Sequence, residues 1–215
     1  MNDPLLQRIE DYVRCRLSEN QDGHDWDHTL RVRKNALRIA REEGADLGIV
    51  EIAALLHDIA RPQESASRGG ADHAALGAEE ARRILPGLGL SDPQMILRIS
   101  ECIRHHRYRR RGNSAEPETI EEKVLFDADK LDSLGAIGIA RAIHFAGHIG
   151  ARVHNTKEEA LAGESYSRED SAYREYLVKL RHVPERMLTA TGRAMAASRQ
   201  DFMKLFFNEL DAECL

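Results

Sequence analysis

The sequence predicts an all-α fold, and three observations carry that expectation. Apolar residues recur at helical spacing along almost the whole chain. No segment alternates apolar and polar residues and then meets hairpin turn residues. Prolines and glycines divide the chain into pieces of helix length. With 215 residues, 42% apolar and 31% charged, the chain has enough apolar material for a full core and too much for a disordered chain.

Each element follows in order. Residues 3–18 place Leu5, Leu6, Ile9, Val13 and Leu17 at helical intervals, and residues 26–43 do the same with Leu30, Val32, Leu37, Ile39 and Ala40. Residues 47–60 form a strongly apolar helix that Pro62 is expected to stop. Residues 65–72 read as a loop and 73–86 as an Ala-rich helix. In "GLGLSDP" (87–93), Ser91 or Asp92 is a candidate N-cap, with Pro93 at the first helical position of a helix over 93–108. A polar loop, "RRRGNSAEPE" (109–118), precedes two helices, 118–133 and 136–149, divided near Gly135. Residues 150–168 read as a polar loop, and helices over 169–182 and 184–212 close the chain. There is no internal repeat and no clear linker.

The formal net charge of −5 argues against a general binder of duplex nucleic acid. Cys15, Cys102 and Cys214 lie far apart and form no CxxC pair, so they read as free thiols in a reducing compartment. No stretch approaches the ~20 apolar residues of a membrane span, and the charged N-terminus does not resemble a signal peptide. A cytoplasmic protein that does not use a membrane is expected. The large apolar residues of "FMKLFFNELDAECL" suit packing on the domain itself or on a second copy in a homo-oligomer.

Chemistry is concentrated in histidines and carboxylates. "HDWDHTLRV" (24–32) sets His24 and His28 four apart, with His28 opening an apolar stripe. "IVEIAALLHDIA" (49–60) puts His57 and Asp58 in an apolar run near a helix end. "VLFDADKLDSLGAIGIAR" (124–141) carries Asp127, Asp129 and Asp132 among small and apolar residues, with Lys130 between them. A buried charge is costly unless it is paired or binds a metal. Neutral imidazoles and inward carboxylates on separate helices therefore suit a divalent ion. A network of buried His–Asp hydrogen bonds with a Lys130 salt bridge satisfies the same spacing.

His28, then His57–Asp58, then Asp129 resembles the H…HD…D signature of the HD-domain phosphohydrolase superfamily. "HDWDHTLRV", "ALLHDIA", "DHAALGAEEA", "IRHHRYR" and "DADKLDSLGAIGIAR", in that order, resemble a small bacterial branch of it over roughly residues 20–150. The resemblance implies one HD-type domain over 1–215: a helical bundle with a core at about 20–150 and additional C-terminal helices over about 151–215. It implies a divalent metal ion held by His28, His57, Asp58 and Asp129, drawn from Mn, Fe, Co, Ni, Mg or Zn, with Mn favoured. It also implies hydrolysis of phosphate bonds in a small phosphorylated substrate, a nucleotide and in particular a nucleoside triphosphate. Asp58, Lys130, His73 and His106 are the expected catalytic residues; His24, Arg61, Arg104, His105 and Arg141 are the expected substrate contacts. His73 and His106, or His105, also match positions that hold a second ion in two-metal members. Some members carry an acid three residues after the aspartate of the HD pair. Arg61 stands there, and Glu64 follows past Pro62, which leaves the general base open. A phosphodiesterase or phosphatase on a smaller ester, and a nucleotide-sensing domain without catalysis, are the alternative functions.

Overall fold

The computed structural model describes residues 3–17, 25–67, 70–107 and 116–214. Among them are eleven α-helices, one 3₁₀ segment and no strand. The chain divides into two compact units, Met1–Asp129 and Lys130–Leu215.

The first unit begins with α1 (Pro4–Leu17), which buries Ile9, Val13 and Leu17. In α2 (Trp26–Glu43) the Asp25 side chain caps the N-terminus by accepting from the His28 amide, and Gly44, at φ 70°, ends the helix in the left-handed conformation. Helix α3 (Leu47–Leu56) is capped by Asp46 and is buried from Ile49 onward except at Glu51. It stops at Leu56, earlier than its apolar pattern predicts. His57 is its C-cap, and two tight turns follow, Ile59 N–H to the Leu56 carbonyl and Arg61 N–H to the Asp58 carbonyl. Pro62 therefore does not stop α3. It sits in the first turn of a further helix, α4 (Arg61–Ala66), where a missing N–H costs nothing.

Helices α5 (His73–Leu88) and α6 (Pro93–His105) are capped by Asp72 and Asp92 respectively; of the two expected cap candidates, Asp92 makes the bonds, to the amides of Gln94 and Met95. Helix α5 packs on α6, α2 on α3, and α3 on α6 and α1. Gly77 makes the α5 contact close: a Cβ there would meet Ile103 Cγ2 at 3.4 Å and the His57 carbonyl at 3.6 Å. The core comprises Val32, Ile39, Leu55, Leu56, Ile59, Leu85, Ile99 and Ile103, all at most 1% exposed. The first unit ends at Asp129, within helix α7 (Ile120–Leu131). Asn35 donates to the Ala128 carbonyl at 3.3 Å, which ties the last turn of α7 to α2.

The second unit holds α8 (Gly135–His148), α9 (Lys157–Ala162), α10 (Ala172–Val178), the 3₁₀ segment Leu180–Arg186, and α11 (Ala190–Cys214). Gly135 turns the chain at φ 72°. The polar stretch expected to be loop throughout contains α9, started by a capping box in which Thr156 and Glu159 bond each other's backbone amides. The final helix begins at Ala190, later than expected, because Pro184 lies in the 3₁₀ segment. Tyr176 stacks on Phe207 at 4.4 Å between ring centroids, within a core that includes Leu177, Val183, Met195 and Met203.

Candidate functional site

Two helix ends carry the same device. His57 and His106 are the C-caps of α3 and α6, where the last carbonyls lack intrahelical donors. The His57 Nδ1–H donates to the Ala54 carbonyl at 2.8 Å, and the His106 Nδ1–H donates to the Ile103 carbonyl at 2.5 Å. A carbonyl only accepts, so each Nδ1 carries the proton and each Nε2 carries a lone pair. His73, at the start of α5, reaches the same state through a side chain: its Nδ1–H donates to Glu64 Oε2 at 2.7 Å.

These lone pairs converge. His28 Nε2 lies 3.2 Å from His57 Nε2, 3.5 Å from Asp58 Oδ2 and 3.5 Å from Asp129 Oδ1, and His57 Nε2 lies 3.4 Å from Asp58 Oδ2. The other oxygen of Asp58 faces a second pair. Its Oδ1 is 3.4 Å from His73 Nε2 and 3.6 Å from His106 Nε2, and those nitrogens are 3.3 Å apart. His28, His57, Asp58, His73 and His106 are each at most 1% exposed. Burial, more than any charge, pushes the His73 imidazole down to about 2; His106, Arg61 and Arg107 act in the same direction and Asp58 against it. Burial lowers His106 likewise. Both rings are therefore neutral near pH 7.

Unprotonated nitrogens that face one another and a carboxylate make an electron-rich centre that a cation satisfies. Among the described residues, two groups are spaced to hold a cation, His28–His57–Asp58 and Asp58–His73–His106. First-row divalent ions bind N and O ligands at about 2.0–2.2 Å, which sets neighbouring ligand atoms about 2.8–3.6 Å apart in octahedral or tetrahedral geometry. The spacings around His28 agree, and Asp129 adds a further oxygen. Imidazole with carboxylate suits Mn, Fe, Co, Ni or Zn better than Ca.

A ring of ion pairs surrounds the second group. Arg61 Nε donates to Asp58 Oδ1 at 2.9 Å and its Nη1 to Glu64 Oε2 at 3.0 Å. Arg107 donates to Glu64 Oε1 at 2.9 Å and to Asp72 Oδ1 at 3.0 Å. Burial opposes the Arg61 charge, but Asp58, Asp129 and Glu64 outweigh it and keep the guanidinium protonated.

The structure thus brings His28, His57, Asp58, Asp129, His73, His106 and Arg61 together. Other expected contacts are engaged elsewhere. His105 donates from Nδ1 to Glu122 at 2.9 Å, and Arg104 pairs with Glu101. In the second unit, Arg141 donates to the buried Asp132 carboxylate at 2.8 Å, so it is neither a solvated surface residue nor available on that nitrogen. Lys130, also buried, follows Asp129 in α7. His24 lies outside the described residues. The Trp26 ring is covered by the Arg14 guanidinium at 4.7 Å, a local tie between α2 and α1. The roles of Glu64, Arg107 and Asp72 are new; the signal for Glu64 was its place next to the HD turn, but its partner lies nine residues on, across a loop.

Comparison with known proteins bears on this geometry. The HD-domain family model matches residues 25–134, which span the whole set from His28 to Asp129. The chain belongs to the HD-domain family. It is 35% identical over 210 residues to the uncharacterized protein YpgQ of Bacillus subtilis (strain 168), covering 96% of this chain and 92% of that one. Among solved structures it resembles a predicted HD superfamily hydrolase from an uncultured Thermotogales bacterium, with TM-score 0.70, 34% identity, and 98% and 93% of the two chains covered. It also resembles B. subtilis YpgQ in complex with ADP, with TM-score 0.73, 31% identity and 97% of each chain covered. HD domains bind divalent metals, and the two His/Asp groups could hold such an ion.

Proposed function

We propose that this protein is a metal-dependent phosphohydrolase that cleaves a phosphate bond of a nucleotide, in the manner of a nucleoside triphosphate pyrophosphohydrolase. The observation that carries the reading is the set of backbone-locked Nε2 lone pairs aimed at the Asp58 carboxylate. His28, His57, Asp58 and Asp129 would hold the ion. A bound divalent ion supplies a Lewis acid and a water of lowered pKa.

The remaining work falls to the protein. His73 and His106 are neutral and lie on the far oxygen of Asp58, where they can accept a proton from an attacking water or order it by hydrogen bonding. Burial of the cluster excludes bulk solvent and strengthens each electrostatic contact. The ADP held by YpgQ, a relative matched along nearly its whole length, supports a nucleotide as ligand. The mixed nitrogen and oxygen donor set accommodates Mn, as it does Fe, Co, Ni or Zn, and Mn is the ion favoured here by the resemblance.

The test is release of phosphate or pyrophosphate from a nucleotide panel with and without Mn²⁺. Turnover is expected to disappear on chelation, return with metal, and be lost in Asp58→Ala while the helical signal persists. Full activity in chelator-treated protein refutes the reading. Metal-loaded protein that binds nucleotides without turnover points to a sensing domain, and turnover of small monophosphates alone points to a phosphatase.

A further inference from the structure

Helix α4 carries two residues that grip the His73 side of the cluster: Arg61 bonds Asp58, and Glu64 bonds the His73 ring. Yet α4 is poorly equipped to hold itself in place. It has six residues, its N-cap Ala60 offers no side-chain bond, and the residue it buries is Glu64, so no buried apolar side chain anchors it. A helix that short is not stable alone in water. Its position therefore depends on polar ties. One runs through Glu64 to the site. Another runs through Gln63 to α1 and α5. Tyr12 Oη of α1 donates to Glu80 Oε1 of α5 at 2.6 Å, and Arg16 Nη2 of α1 donates to Glu80 Oε2 at 3.2 Å. The Glu80 side chain is only 9% exposed. Gln63 joins this cluster. In the amide orientation that satisfies both of its ends, its oxygen accepts from Arg16 Nη2 at 2.6 Å and its nitrogen donates to the Ala60 carbonyl, at the start of α4, at 3.0 Å.

We propose that Gln63 and Arg16, with Tyr12 and Glu80 behind them, are positioning residues for this centre. They hold α4 from the side of α1, so that Glu64 keeps its bond to the His73 ring and Arg61 its bond to Asp58. None of the four is a catalytic residue; each acts through α4. Helix α1, which precedes the residues matched by the family model, is thereby part of the support of the site. That this support matters for turnover rests on the phosphohydrolase reading; that it holds the His73 ring does not.

The test reads the His73 ring and turnover separately. Proton NMR of protein with isotope-labelled histidine follows solvent exchange of the His73 Nδ1–H, assigned by its loss in His73→Gln. Steady-state hydrolysis of the nucleotide that turns over fastest in the panel gives kcat and KM. Gln63→Ala and Arg16→Met are each expected to speed exchange of that proton about tenfold, as local opening of α4 requires. Each is expected to lower kcat about tenfold at unchanged KM, the effect of a small misplacement at a reacting centre. The double variant is expected to be no worse than either single one, because both cut the same tie. Arg33→Met is the control. It breaks a different polar tie of α1, the bonds of Arg33 to Glu10 and Glu51 at 2.8 Å each, and is expected to leave exchange and kcat unchanged. Circular dichroism establishes that each variant is folded. If exchange or kcat in Gln63→Ala matches wild type, if the effects of the two variants add, or if Arg33→Met does the same damage, the proposal is overturned while the phosphohydrolase reading stands. If wild type turns over no nucleotide, that reading fails and the exchange rate alone decides the proposal. Should Arg16→Met lose its fold, Gln63→Ala decides it.

Discussion

Glu64 offers a sharp measure of how much the ion-pair ring stabilises the first unit. Its carboxylate accepts from His73 at 2.7 Å, Arg107 at 2.9 Å and Arg61 at 3.0 Å. At about 1.5–3 kcal/mol for each bond to a charged group, the gross loss in Glu64→Ala approaches about 4–9 kcal/mol. Much of that is recovered. The side chains of Arg61 and Arg107 are 21% and 18% exposed, so they regain water, and they keep Asp58 and Asp72 as partners. The Nδ1–H of His73 recovers nothing, because that side chain is 1% exposed, and an unsatisfied buried donor costs about 1–3 kcal/mol. With the lost packing of the carboxylate stem, the net cost is about 3 kcal/mol, or roughly 6–12 °C in Tm for a chain of this size. Glu64→Gln preserves an acceptor for His73 and loses only charge, so it costs about 1 kcal/mol, roughly 2–4 °C. The assay is thermal unfolding by circular dichroism in chelator, which removes the contribution of bound metal. If Glu64→Ala melts within a degree of wild type, or if Gln is as damaging as Ala, the network does not hold His73 in the way described.

Three further predictions address other parts of the molecule. Asp129→Asn is expected to weaken Mn²⁺ binding at least tenfold by isothermal titration, with the far-UV spectrum unchanged; undiminished affinity would remove Asp129 from the ligand set. Cys15 and Cys214 are exposed, whereas burial, reinforced by Glu122 and Glu121, raises the Cys102 thiol; a thiol reagent is expected to label two sites in native protein and the third only in denaturant, as counted by mass spectrometry. Gly138→Ala would place a Cβ 2.2 Å from the Ser133 carbonyl oxygen, a backbone atom that cannot step aside, so a loss of about 2 kcal/mol is expected in denaturant unfolding, against about 1 kcal/mol for Gly44→Ala, where φ is 70° and the space is open; equal effects would contradict the close approach at Gly138.

The sequence was most readable where local chemistry decides the outcome. Helix α2 runs over the expected residues because Asp25 caps it and Gly44 ends it. The break after Leu56 was not readable, since the apolar pattern runs unchanged through Ile59 and Ala60 and the chain leaves the helix only to set His57 and Asp58 in a turn. Pro62 misled for the same reason: one proline can close a helix or open the next. Helix α9 was missed, because the polar composition around "TKEE" (156–159) hid the capping box that starts it. At the site, the resemblance to the H…HD…D signature pointed to His28, His57, Asp58 and Asp129, which do meet. The sorting of His105 from His106 was not readable. Neighbours on a helix point about 100° apart, and only tertiary packing determines that one meets Glu122 and the other Asp58.

The ring locks on Ala54 and Ile103 have an evolutionary corollary. Because main-chain oxygens perform the aiming, no change of side chain at those two positions can abolish the acceptor itself. What can drift is the terminal turn of each helix. Substitutions that fray α3 after Ala53 or α6 after Cys102 would swing the imidazoles while every residue of the cluster stays the same, so the geometry of the centre can be changed from positions that never touch it.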